Sequence, residues 1–362
     1  MTRPPDSTGP TVSGPAEQAG PAVRPVGFAA MRVLFASLAS VGHTYPLIPL
    51  AIAARDAGHE VHFAAGTEVH APLAAHGLRP FRPGDAFYEV YAEDLEPELA
   101  RLRPDLVVHE WGLPGAAVAA HRAGIPGLWH GFGRLFPEGI GLEIPTRNAE
   151  VVGRPHLDIW PPSLQDKDFL ATERRIELRP VAFSTPAPLP LRVGRPLIYL
   201  TLGTAFGTPE LLRTAIAGLA TLGAQVVVAA GRVPPEQLGE IPDQVSVHPW
   251  VPQAELLPLA DLVVHHGGSG TTLGALAAGV PQVLLPQGAD QFANAEALTA
   301  AGVGLRLLPS ETDAVAIAEQ AHLLLPQRGQ VEQRDAARLI AEEIAGMPSP
   351  EAVAKLLPEY AS

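Results

Sequence analysis

Short, largely apolar, β-branched runs that stop abruptly at glycine recur along this chain, and they constrain its fold more than any other feature. In the first half they are MRVLFASLAS (31–40), HEVHFAAG (59–66), DLVVHEW (105–111) and PGLWHG (126–131). In the second half they are RPLIYLTLGT (195–204), AQVVVAAG (224–231), DLVVHHGG (261–268) and QVLLP (282–286). Runs without polar alternation read as strands covered on both faces, which is the condition of a parallel sheet with helices on either side. Apolar helical segments follow them, such as TYPLIPLAIAARDAG (44–58), closing on Gly58. The expected fold is α/β, with two doubly wound Rossmann-like units facing across a cleft.

The predicted boundaries are a disordered Pro/Gly/Ser-rich leader at 1–30, a first unit at 31–153 and a proline-rich linker at 154–195. A second unit follows at 196–346, and a last helical segment at 347–362 crosses back to the first unit or packs on its own. A chain of 362 residues exceeds what one compact core usually holds, in keeping with two domains. The formal net charge of -13, without a Lys/Arg-rich run, argues against a nucleic-acid partner. Without cysteine there is no disulfide, thiolate metal site or Cys nucleophile. No segment reaches the ~20 apolar residues of a membrane helix and the leader lacks an apolar h-region, so a cytoplasmic location without membrane insertion is expected.

The segment DLVVHHGGSGTTLGALAAGVPQ (261–282) carries the strongest chemical signal. A strand ends, four small residues follow, and an apolar helix begins. Glycines let a backbone approach an anion, and a helix start offers free N–H groups and the positive end of its dipole. A tight strand-to-helix turn whose glycines serve packing alone is the plainer alternative. No Lys follows, so this is not a Walker loop, and the spacing is not GxGxxG.

HHGGSGTT, preceded by HPWVPQAELLPLADLVV and followed by PQGADQFANAEAL, resembles the donor-sugar signature of family 1 glycosyltransferases, which have the GT-B fold. The resemblance is to the actinomycete antibiotic type, which glycosylates macrolides, enediynes and aromatic polyketides. It covers roughly 196–345 and returns at 31–66. It implies a nucleoside-diphosphate sugar donor, with thymidine diphosphate (TDP) favoured over its uridine counterpart, and a small hydrophobic natural-product acceptor. It also implies that Trp250 flanks the base, the Val251 backbone reads its edge and Gln253 lies near the ribose. His265 would hold the pyrophosphate, with Gly268, Ser269, Gly270 and Thr271 lining the turn and Thr204 as a second phosphate contact. Asp290 and Gln291 would bind the sugar hydroxyls, although an Asp-Gln ahead of a helix is ordinarily an N-cap. No Asp-x-Asp metal motif is evident, so neither a metal nor another cofactor is expected.

The turn SVGHTYPLIPL (40–50) places His43 at the position of the family's G-H-x-x-P general base. An imidazole suits proton abstraction at neutral pH, and a carboxylate partner would fix its tautomer. Glu110, at the end of its strand, is the candidate; Asp105 lies at the wrong end and His109 on the opposite face. A His that merely caps or packs under the helix is the alternative. Phe87, Trp111 and Phe132, with Tyr88, Tyr91, Trp129 and Phe136, are candidates for an apolar acceptor wall, or for ordinary core. The short spacings between Gly66 and Asp105 and over 134–155 leave either a pared-down acceptor site or absent loops. The chemistry implied is a single displacement with inversion. Rival readings are a nucleotide-sugar 2-epimerase with the same phosphate site and a catalytically silent binding protein; a nicotinamide Rossmann enzyme lacks its fingerprint. A homodimer is left open.

Overall fold

The computed structural model describes residues 30–83, 92–135, 155–172, 174–189, 195–326 and 331–361. The expected leader at 1–30 therefore falls almost entirely outside the described residues. Two parallel sheets form among them. The first contains β1 (Arg32–Ala36), β2 (Glu60–Ala64), β3 (Arg79–Phe81), β4 (Leu106–Glu110), β5 (Gly127–His130), β6 (His156–Asp158) and β7 (Arg175–Glu177), in the order β3-β2-β1-β4-β5-β6-β7. The second contains β8 (Leu197–Thr201), β9 (Gln225–Ala229), β10 (Val245–His248), β11 (Leu262–His265), β12 (Gln282–Leu284) and β13 (Gly304–Arg306), in the order β10-β9-β8-β11-β12-β13.

Alternate residues of each strand enter different cores, which is why the runs are apolar on both faces over most of their length. Val33, Phe35, Val61, Phe63, Leu106 and Val108 pack on the face covered by the helix Ile48–Asp56. Leu34, Ala36, Ala64 and Val107 face the helices Ala92–Leu102 and Pro114–Arg122. The second sheet repeats this, with Ile198, Val226 and Val264 on one face and Tyr199, Val227 and Val263 on the other.

In both sheets the chain winds outward from a central strand and then returns to its other side. The reversals lie between β1 and β4 and between β8 and β11. Loops diverge at such a point, leaving a crevice at the carboxyl ends of the strands.

The segment 154–195 is not simply a linker. His156–Asp158 and Arg175–Glu177 extend the first sheet, held by a buried carboxylate: Asp158 accepts from Arg175 Nε at 2.6 Å, Gln165 Nε2 at 3.0 Å and the Trp160 amide at 3.0 Å. Among the described residues of this segment, those at 179–189 lie outside the first sheet and lead on from it. The C-terminal helices pack against the first unit. The short helix Pro350–Ala354 packs on Ile48–Asp56, with Val353 and Leu357 buried in the first unit's core and Leu356 exposed. Glu343 braces the same junction by accepting from the amide of Ser163 at 2.8 Å and its hydroxyl at 2.5 Å.

Leu357 is fully buried, so Leu357→Ala removes core packing at the junction; a loss of about 2–5 kcal/mol is expected in denaturant unfolding. An unchanged midpoint would show that the C-terminal end contributes nothing to that core.

Candidate functional site

Both crevices open onto one cavity of about 530 Å³, lined by residues of both units. On the first unit's side, the chain leaves β1 and turns at once into the short helix Val41–Thr44, so His43 stands at the mouth of the crevice. Ser37 Oγ and Thr44 Oγ1, 2.8 Å apart, pin the turn. Glu110 ends the neighbouring strand, in the register that pairs Ala36 with His109. Its fully buried Oε1 lies 2.8 Å from His43 Nδ1. With the carboxylate accepting, Nδ1 carries the hydrogen and Nε2 remains for a substrate hydroxyl. Phe132 stacks on the imidazole at 4.7 Å between ring centroids.

Burial works against the imidazolium of His43, but the hydrogen bond and charge of Glu110, with the charge of Asp290 behind them, outweigh it and raise the pKa above the ordinary 6.5. The expected alternatives to Glu110 are engaged elsewhere. Asp105 accepts from the Arg32 amide at 2.7 Å, and His109 is buried edge-on against Trp129.

On the second unit's side, the helix Ser269–Ala277 begins one residue after the Gly267-Gly268 turn. Gly267 has φ +90° and needs its glycine. The amides of Gly270 and Thr271, which have no partner within the helix, lie on the cavity wall, and space around Gly270 is open.

One expected residue is displaced by its neighbour. His265 does not line the cavity: it is fully buried, its Nε2 lies 2.7 Å from Gln282 Oε1, and its Nδ1 accepts from the Gly267 amide at 3.1 Å. It ends β11 facing the interior, and the pleat sends the next side chain, His266, to the cavity. Burial, with a backbone hydrogen bond at Thr201 opposing it, pushes His266 down to about 4, so its ring is neutral at pH 7. Gly203 and Gly268 sandwich that ring so closely that a Cβ on either would strike it.

Asp290 stands at the N-cap position of the helix Gln291–Ala300 but makes no side-chain cap bond. Its carboxylate reaches across to the glycine turn instead, accepting from the Ser269 hydroxyl at 2.8 Å, the Ser269 amide at 3.2 Å and Asn294 Nδ2 at 2.9 Å. Burial raises its pKa. Gln291 lies beside it on the cavity wall, its Oε1 accepting from the amides of Gln287 and Gly288.

Trp250 is 42% exposed over the cavity, edge-on to Tyr45 at 6.1 Å, and so is not packed beneath its loop. Val251 is buried behind it; Gln253 Nε2 donates to the Tyr199 hydroxyl at 2.9 Å. Thr204, Gly268, Ser269, Thr271, Trp111 and Phe132 line the same space. Trp129 does not, and Phe87, Tyr88, Tyr91 and Phe136 lie outside the described residues.

Three features escaped the sequence reading. Asn294 bonds the Gly267 carbonyl, the Ser269 hydroxyl and Asp290, and its i, i+4 spacing from Asp290 was the available signal. Phe183, from the proline-rich stretch, packs edge-on against Tyr45 and forms part of the wall. His266 is the third. Among the described residues no group of three or more His, Asp or Glu side chains is placed to hold a metal ion, and no helix is long and apolar enough to cross a membrane.

The coupling of His43 to Glu110 has a measurable sign. Replacing Glu110 by Gln removes the largest influence that raises the imidazole pKa and leaves its burial in place. Titration of the His43 ring by NMR is expected to give a value above 6.5 in the native chain and a lower one in Glu110→Gln. Equal values would dissolve the pair.

The second unit matches the family model described as "Erythromycin biosynthesis protein CIII-like, C-terminal domain" over residues 213–360. The L-demethylnoviosyl transferase of Streptomyces niveus is 33% identical over 374 aligned positions, spanning 90% of this chain and 97% of that protein. Since the alignment is longer than this chain of 362 residues, that relative carries insertions this chain lacks. Among solved structures, the glycosyltransferase SnogD from Streptomyces nogalater superposes with a TM-score of 0.76 at 30% identity, over 92% of this chain and 100% of its own. The Streptomyces sp. SF2575 glycosyltransferase SsfS6, complexed with thymidine diphosphate, superposes at 0.72 with 27% identity, over 91% and 99%. With the two-sheet architecture and these relatives together, the chain belongs to the family 1 glycosyltransferases of GT-B fold and antibiotic, natural-product type.

Proposed function

We propose that this glycosyltransferase moves a sugar, a deoxysugar in particular, from a TDP-linked donor to a hydroxyl of a small hydrophobic natural product, with inversion and without a metal ion. The observation that carries the reading is the shared cavity. A His–Glu pair stands at one strand-order reversal and an anion turn at the other, both facing the same space.

Thymidine diphosphate is the nucleotide held by the SsfS6 relative, and an exposed Trp250 offers a flat platform for a pyrimidine. The diphosphate lies over Gly268–Thr271, where the helix start contributes roughly +0.5 charge, with Thr204 and the neutral His266 as further donors. His266 takes the role the sequence assigned to His265. Asp290 and Gln291 hold the sugar between this turn and His43. Trp111, Phe132 and Phe183 give the acceptor an apolar wall.

In the reaction, His43 Nε2 takes the acceptor's hydroxyl proton as that oxygen bonds to the anomeric carbon. The bond from the anomeric carbon to the β-phosphate oxygen breaks, and its electron pair leaves with the nucleoside diphosphate. Glu110 stabilises the imidazolium that forms. The helix dipole, backbone amides and His266 stabilise the departing charge, as a cation would elsewhere.

Turnover measured in the presence of a chelator separates the parts of this reading. The native enzyme is expected to keep its rate, while His43→Ala loses about 100- to 10,000-fold and binds TDP nearly as before. A native rate abolished by chelator would overturn the metal-free account, and an active His43→Ala would overturn the base.

A further inference from the structure

The charge on the cavity wall does not match a nucleoside diphosphate. Its only wall carboxylate among the described residues, Asp290, stands beside the anion turn and accepts both the amide and the hydroxyl of Ser269, two donors a phosphate would otherwise take. His266 is neutral, and His43 belongs to the other unit and is paired with Glu110. A helix start alone supplies about half a charge.

Among the described residues lining the cavity, Arg232 is the one Arg or Lys. It is exposed and makes no hydrogen bond or ion pair with another described residue, although most arginines of this chain do. Its position is set by the backbone. Gly231, at φ +63°, is pressed against the Gly203 carbonyl and Thr204, so that a Cβ there would meet that carbonyl at 2.6 Å. The Gly231 amide donates to the Pro249 carbonyl at 3.1 Å, tying the same turn to the loop that carries Trp250. Arg232 is thus mounted between Thr204 and Trp250, where the cavity meets a second one of about 620 Å³ whose wall also includes Thr204 and Gln237.

We propose that Arg232 is a donor-binding residue whose guanidinium pairs with the diphosphate of the nucleotide held between Trp250 and the 267–271 turn. The inference rests on the donor reading above. A guanidinium presents parallel N–H donors that match two phosphate oxygens, and it stays charged at any pH the enzyme meets. It supplies the full positive charge that the turn, half-occupied by Asp290, does not. Being exposed, it acts through a partly screened field, so its contribution falls with salt.

Calorimetric titration of the native chain, Arg232→Gln and Arg232→Lys with TDP and with uncharged thymidine tests this. Arg232→Gln is expected to weaken TDP by about 10- to 100-fold, to leave thymidine unchanged and to flatten the salt dependence of TDP binding, with Arg232→Lys in between. TDP affinity unaltered in Arg232→Gln, or an equal loss for TDP and thymidine, would overturn the proposal. Failure of the native chain itself to bind TDP would overturn the donor reading, a distinct result.

Discussion

A parallel sheet wound outward from a central strand and then back past it leaves a gap above that strand's carboxyl end, and this molecule depends on having two such gaps face each other. Between β1 and β4 the chain places His43, in the short helix after β1, beside Glu110 at the end of β4, near enough for a 2.8 Å hydrogen bond across the gap. Between β8 and β11 it places a glycine turn and a helix start. Neither half contains the whole apparatus. The proline-rich passage after Leu178, the returning C-terminal helices and the Ser163–Glu343 bonds hold the halves in register. Gly133 of the first unit approaches Ser269 of the second so closely that no side chain fits between them.

Electrostatics divides the histidines by role. His43 is partly exposed with a carboxylate behind it, and the hydrogen bond and charge of Glu110 raise its pKa above the ordinary 6.5 despite burial. His265 and His266 have no carboxylate partner, and burial pushes them down to about 3 and about 4. A neutral imidazole can still donate one hydrogen bond, but it adds no formal charge. In the proposed donor site the helix dipole is left short, because Asp290 already draws on the first amide of the helix. That shortfall is the reason for proposing Arg232 as a further donor contact.

Much of this was legible in the sequence because buried parallel strands admit little but β-branched and aliphatic residues. The long runs at 32–36, 106–110, 197–201, 225–229 and 262–265 became strands. Strands of three residues, RPF, HLD and RIE, were not legible: each holds polar residues, and Asp158 is tolerated in the sheet only through Arg175 and Gln165, partners invisible to local patterning. The helix Ala92–Leu102 was masked by its internal Pro97. At the site, the His43–Glu110 pair was readable because Glu110 ends its strand and His43 lies in the turn that follows the adjacent one. The choice between His265 and His266 was not. It turns on which residue ends the strand facing inward, and one position of the pleat exchanges a buried Gln282 partner for the cavity. Asp290's engagement with Ser269 likewise depends on a crossing of loops that no spacing reveals.

In the proposed reaction His43 and the 267–271 turn act from opposite walls of one cavity, so the acceptor attacks from the side opposite the leaving group. The most direct test is the anomeric configuration of the product, read by NMR from the H1–H2 coupling after turnover of a donor of known configuration. Inversion is the outcome the proposed reaction predicts. A product retaining the donor's configuration would contradict it.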